Sequence, residues 1–168
     1  MMNFLVKVAH SKLWWLALLV LAAAMIGVAL YYQHVMAEWP CVLCIHVRIL
    51  FLFLMLISAV ALAVNRLASM HPFMHALVIV DAGFLINRSW ELLATERGWT
   101  EGVCSIELGM PAWFAIDKWL PDIFSAWTTC GYTPVLAFGV TMAEALLIFS
   151  VLLLLASVSL FIAVLRKR

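Results

Sequence analysis

Two stretches of this chain, 13-LWWLALLVLAAAMIGVAL-30 and 145-ALLIFSVLLLLASVSLFIAVL-165, contain no charged residue. At about 1.5 Å of rise per residue the shorter one makes about 27 Å of helix, close to the thickness of bilayer hydrocarbon. Inside lipid every backbone N–H and C=O has to be satisfied by the protein itself, which leaves only helices and closed barrels. These runs are continuously apolar, without the two-residue alternation of a barrel strand, so they predict helices. Two further segments are long enough to span: 44–64, uncharged after Arg48, and 73–93, which carries Asp81, Asn87, Arg88 and Glu91. A chain of 168 residues that is 67% hydrophobic and 11% charged cannot hide that much apolar surface in a water-soluble core. The pattern predicts an all-α membrane protein, a single domain over 1–168 built as a four-transmembrane-helix bundle with spans at about 13–31, 44–64, 73–93 and 145–165. The first run continues past Ala22-Ala23-Ala24 and exceeds a signal-peptide core, so it reads as an uncleaved span. Within it Trp14 and Trp15 read as interface anchors, and Ala22, Ala23, Ala24 and Gly27 as a surface for close helix packing. A net charge of +1 with no basic cluster gives no footing for nucleic acid.

Cationic residues set the expected orientation. Lys7 and Lys12 precede the first span, Arg66 lies between the second and third, and Arg166-Lys167-Arg168 follow the fourth. The intervening loops, about 32–43 and 94–144, contain Glu38 and an acidic excess with Arg97 and Lys118 as cations. The positive-inside rule puts both termini in the cytoplasm and both loops outside. All four cysteines, Cys41, Cys44, Cys104 and Cys130, then face the outer side, where thiols meet an oxidising compartment and disulfide chemistry is the natural use.

The first pair sits in 38-EWPCVLCIHVRIL-50. Pro40 blocks a helix arriving from the N-terminal side and permits one to start just after it, so the pair is expected in the first helical turn. Free N–H groups and the helix dipole favour a thiolate there. Arg48 lies four residues past Cys44, on the same face, and its fixed charge favours the thiolate further. An arginine this deep needs a function or a route to the headgroups. The functional reading is that it donates to an oxygen of a lipid-soluble electron acceptor beside Cys44, and a quinone has both properties. Gln33 and His34 lie close by in sequence, and Gln33 could line the same pocket. His46 flanks the pair, and Arg88 should reach a similar depth on the third span, so both are candidate contacts to a quinone headgroup. The second pair, Cys104 and Cys130, brackets twenty-five residues. Closing such a loop constrains the chain by about 3–4 kcal/mol, so a purely structural bridge remains open. Between them, 110-MPAWFAIDKWLPDIF-124 has apolar residues at helical spacing and is expected as a short interfacial helix on the outer leaflet.

The run 31-YYQHVMAEWPCVLCIHVR-48, the Cys104…Cys130 loop enclosing Ile116-Asp117-Lys118-Trp119-Leu120-Pro121, and four spans in this order resemble the DsbB family of bacterial inner-membrane disulfide-bond formation proteins. The resemblance covers nearly the whole chain. It implies a thiol:quinone oxidoreductase with periplasmic loops that reoxidises a DsbA-like dithiol oxidase. It implies that Cys41 and Cys44 pass electrons to ubiquinone or menaquinone, that Arg48 assists the quinone, and that Cys104 and Cys130 meet the partner. It implies no metal. Two positions depart from the family pattern: His46-Val47 replaces an aromatic and an acid or amide, and Met142-Ala143-Glu144-Ala145 lacks a tryptophan. The competing reading is a membrane scaffold, either stapled by two inert disulfides or holding zinc through the four cysteines, since one short-spaced pair matches half of a structural zinc pattern.

Overall fold

A computed structural model describes residues 2–65, 70–100, 108–136 and 139–166, so Cys104 and Arg66 lie outside the described residues. Seven α-helices are present among them. Helix α1 is Met2–Ala9, α2 Lys12–His34, α3 Val42–Ala63 and α4 His71–Glu96; α5 (Ile116–Trp119) and α6 (Pro121–Phe124) are single turns, and α7 is Met142–Arg166. The four long helices begin where the chain supplies a start signal. Ser11 caps α2 by accepting from the Leu13 N–H at 3.1 Å. Pro72 occupies the first turn of α4, where its missing N–H costs nothing. Thr141 and Glu144 form a reciprocal capping box at α7: the Glu144 N–H donates to the Thr141 hydroxyl, and the Thr141 N–H donates to the Glu144 carboxylate. Arg97, just past α4, pairs with the same carboxylate and ties the two helix ends together.

Three helices, α2, α3 and α7, are long and apolar enough to cross a membrane. Helix α4 has 26 residues, about 39 Å, but is the least apolar of the four. Its polar residues are managed unequally. Arg88 and Glu91 pair at 2.6 Å on a half-exposed face, whereas Asp81 is 5% exposed with one carboxylate oxygen lacking any partner.

Helix α3 packs against both α2 and α4, α4 packs against α7, and α1 lies across α7 and α2. The seams carry small side chains, Ala22 on α2, Ser58 and Ala61 on α3, Ala82 and Ser89 on α4, Ser150 and Ser157 on α7, which let backbones approach where lipid gives no hydrophobic drive. Ser150 is satisfied by donating to the Leu146 carbonyl. Ala23, Ala24 and Gly27 face outward, and a Cβ on Gly27 would touch nothing within 4 Å, so the packing role of the small-residue stretch in α2 falls to Ala22 alone. Trp15 is likewise not an interface anchor. It is fully buried with its ring 4.8 Å from that of His75, which hydrogen-bonds the Ala9 carbonyl.

The interfacial helix expected over 110–124 is broken into a 3-10 turn (Ala112–Phe114), α5 and α6. Two departures break it: Ala115 turns to φ −87° and ψ 65°, and Pro121 forces Leu120 out of the helical region, to φ −136° and ψ 67°. The pieces still bury one apolar edge. Ile116 and Phe124 join Val42, Ile45, Ile49 and Leu108 in a small core beneath the loop, while Trp113, Trp119 and Leu120 stay exposed.

The unpartnered Asp81 sets a stability test. Asp81→Leu should raise the thermal unfolding midpoint in detergent, since it removes a buried polar group that costs about 1–3 kcal/mol. A lowered midpoint would mean the carboxyl has a bonding role inside the bundle.

Candidate active site

Three of the four cysteines converge at the N-terminus of α3. Cys41 is the cap residue, in extended conformation, and its sulfur accepts from the Cys44 N–H at 3.4 Å. Its carbonyl takes the first intrahelical bond, from the Ile45 N–H. The first N–H groups of a helix have no partner within it. Here Cys41 supplies one acceptor, its sulfur receiving the N–H of Cys44, and Cys130 is seated against the Val42 and Leu43 main chain. The Cys41 and Cys44 sulfurs are 2.9 Å apart, and the Cys130 thiol lies beside Cys41 from the other side. All three are free thiols.

The loop reaches this helix end by pairing with the residues just before it. The Trp127 N–H donates to the Pro40 carbonyl at 3.0 Å, and Thr128 bridges to Cys41 in parallel register. Gly131 follows at φ 141°, a conformation that lets the chain leave directly after Cys130. Ala37, at φ 55°, makes the reversal that carries α2 back toward Cys41.

Burial and mutual contact set the thiol acidities. Cys130 pulls the Cys41 thiol down, but Cys44 and burial outweigh it, and Cys41 is pushed up to about 12. The contact with Cys41, reinforced by burial, holds the Cys130 thiol well above the ordinary range. A thiol beside a thiol is an acceptor already occupied, so removing a proton from either leaves a charge with poor solvation.

Beside Cys44 and one turn from Arg48 lies a cavity of about 510 Å³, walled mainly by apolar side chains of α2, α3 and α7 and by residues 128–136. Cys44 and Arg48 both line it. Arg48 is 5% exposed, yet among the described residues no carboxylate pairs with it. Neutral oxygens hold it instead. Nη1 donates to Gln33 Oε1 at 2.5 Å and to the Ile123 carbonyl at 2.7 Å, and Nη2 donates to the Ala29 carbonyl at 3.2 Å. Its Nε is buried and has no partner. A mostly apolar cavity with a sulfur and a guanidinium in its wall fits a flat, lipid-soluble molecule bearing carbonyl oxygens.

His46 and Arg88, both expected near a quinone headgroup, are not among the residues lining this cavity. His46 lies two residues from Cys44, which turns it to another side of α3, where Nε2 bonds the Leu108 carbonyl at 3.2 Å. Arg88 is on α4 and is engaged with Glu91. His34 is exposed. Gln33 is in the centre of the Arg48 network, which the sequence suggested only as a polar lining. The main-chain carbonyls of Ala29, Asp122 and Ile123 left no sequence signal at all.

A family model described as Disulfide bond formation protein DsbB matches residues 11–160. Disulfide bond formation protein B 2 of Pseudomonas aeruginosa is 31% identical over 165 residues, covering 94% of this chain and 96% of its own. The Disulfide bond formation protein B of Pectobacterium atrosepticum is 32% identical over 160 residues, covering 93% and 89%. That of Shewanella amazonensis is 29% identical over 170 residues, covering 99% of each chain.

Weakened acidity at Cys41 and Cys130, whose thiols are both held above their ordinary pKa, predicts slow alkylation of the reduced protein. Because only the thiolate reacts, iodoacetamide labelling of both should climb about tenfold per pH unit from pH 8 to 10 without a plateau. Peptide mass spectrometry reads the rates, and a plateau below pH 9 at either residue would contradict the buried thiol contact.

Proposed function

The chain belongs to the DsbB family of disulfide bond formation proteins, and from that premise we propose that it is a membrane thiol:quinone oxidoreductase that reoxidises a DsbA-like periplasmic dithiol oxidase. The observation that carries this reading is the cavity flanked by Cys44 and the uncompensated Arg48, directly behind a cluster of three thiols. In the proposed topology α4 is the third of four spans, both termini are cytoplasmic and the cysteines face the periplasm of a bacterial inner membrane. Helix α4 supports this by packing between α3 and α7, and its exposed Phe73, Val80 and Phe84 give it an apolar outer face.

The relay runs through Cys104, Cys130, Cys41 and Cys44. A reduced partner thiolate attacks Cys104 of a Cys104–Cys130 disulfide, forming a mixed disulfide and releasing Cys130 as a thiolate. Cys130 then attacks Cys41 of the oxidised Cys41–Cys44 pair. A Cys41–Cys130 bond forms, the Cys41–Cys44 bond breaks, and the electron pair leaves on the Cys44 sulfur. The contact between Cys130 and Cys41 supports this order, as does the position of Cys44 as the sulfur that lines the cavity. The partner's second thiol then displaces Cys104 from the mixed disulfide. Cys104 attacks Cys130 and restores the loop disulfide, and Cys41 and Cys44 are left reduced. A ubiquinone or menaquinone bound beside Cys44 would take up their two electrons and two protons, so that overall two partner thiols become one disulfide. Arg48 lines the cavity beside Cys44, so its fixed positive charge lies where negative charge would develop on a quinone oxygen. The Cys44 N–H, which already meets the Cys41 sulfur, and the positive end of the α3 dipole favour negative charge on sulfur as it develops.

Purified protein mixed with a reduced DsbA-like oxidase and a ubiquinone or menaquinone analogue should consume quinone absorbance. Cys44→Ser should abolish turnover, and Arg48→Ala should lower kcat/KM for quinone by about tenfold or more while the protein still inserts. Normal turnover in either variant would refute the assigned roles.

A further inference from the structure

Gln33 sits in the last turn of α2, 5% exposed, with both ends of its amide committed. Oε1 accepts from Arg48 Nη1 at 2.5 Å, and Nε2 donates to the Asp122 carbonyl at 2.7 Å. Arg48 Nη1 also reaches the next carbonyl along, that of Ile123. These two carbonyls belong to α6, a single turn whose last carbonyls lack helical partners. Six residues beyond Phe124, the same segment delivers Cys130 to Cys41. Helix α2, helix α3 and the loop are therefore joined at one amide.

The chemistry of that amide matters. A buried guanidinium ordinarily takes a carboxylate partner, because an unpaired charge costs several kcal/mol to bury. A carboxylate would hold Arg48 equally well but would cancel its charge next to the cavity. It would also meet the Asp122 carbonyl as acceptor against acceptor. The glutamine amide supplies an acceptor for Arg48 and a donor for the loop while remaining neutral.

We propose that Gln33 is a positioning residue for the redox site: it fixes the Arg48 guanidinium at the cavity wall without neutralising it and fastens the Cys130-bearing loop to the same point. The role rests on the quinone reading above and deepens it. Gln33 does not touch the reacting atoms; it acts through Arg48 and the Asp122 carbonyl.

The test uses the full-length protein, a reduced DsbA-like oxidase and a short-tailed ubiquinone analogue, with Gln33→Met and Gln33→Glu. Gln33→Met keeps the length of the side chain and loses both bonds, so KM for quinone should rise about tenfold while KM for the protein dithiol changes less than twofold. Gln33→Glu keeps the bond to Arg48 and cancels its charge while losing the bond to the Asp122 carbonyl, so kcat for quinone reduction should fall about tenfold. Wild-type kinetics in Gln33→Glu would overturn the charge-preserving role, even if Gln33→Met proves too unstable to purify. Loss of stability in Gln33→Met without any change in quinone KM would reduce Gln33 to a structural tether and overturn the proposal as well. Wild-type protein runs in parallel. Its failure to reduce any quinone would overturn the quinone reading itself, whereas equal kinetics in wild type and both variants would overturn only the role of Gln33.

Discussion

A buried arginine with no acidic partner among the described residues is the constraint around which the rest of this molecule is arranged. Arg48 enters the bundle on α3 and can stay there only if oxygen atoms are brought to it. Helix α2 brings the Ala29 carbonyl and the Gln33 amide, and the loop brings the carbonyl of Ile123. Each of these requires a particular depth and rotation of α2 against α3 and a particular seat for α6. Solvating one cation thus fixes the mutual placement of three chain segments. The cavity beside Cys44 lies between those same segments and α7.

Sulfur has the corresponding role at the start of the same helix. A helix start in a membrane interface needs acceptors for its first N–H groups, and serine, threonine or aspartate would be the ordinary choice. In α3 the Cys44 N–H goes to the Cys41 sulfur, and Cys130 sits against the Val42 and Leu43 main chain. The helix end thus gathers three sulfurs at one point. Exchange between the loop and the membrane pair needs no refolding of α3 and only short movements of the side chains.

Some of this is legible in the sequence and some is not, for physical reasons. Pro40, Cys41, Cys44 and Arg48 are related by local helical geometry, so spacing alone places the pair at the helix mouth with the arginine one turn below. The stretch over 110–124 has helical apolar spacing and reads as one helix, yet Pro121 is visible within it and sufficient to break it. Tryptophan favours the membrane interface, so Trp15 reads as an anchor, whereas α1 and His75 close over it, a tertiary fact no window of α2 contains. His46 shows the same limit. Its neighbours in sequence point to the cavity, but which side of α3 the loop covers depends on contacts 62 residues away. The partners of Arg48 are least accessible, since two of the three are main-chain carbonyls and carry no residue identity.

The bundle grips its long loop through such backbone oxygens: Gln33 holds that of Asp122, Arg48 that of Ile123, and His46 that of Leu108. Main-chain grips are indifferent to the side chains that hang from them. The outer surface of the loop is therefore free to be rewritten for a new protein partner, while the seating on the bundle and the delivery of Cys130 carry over unchanged.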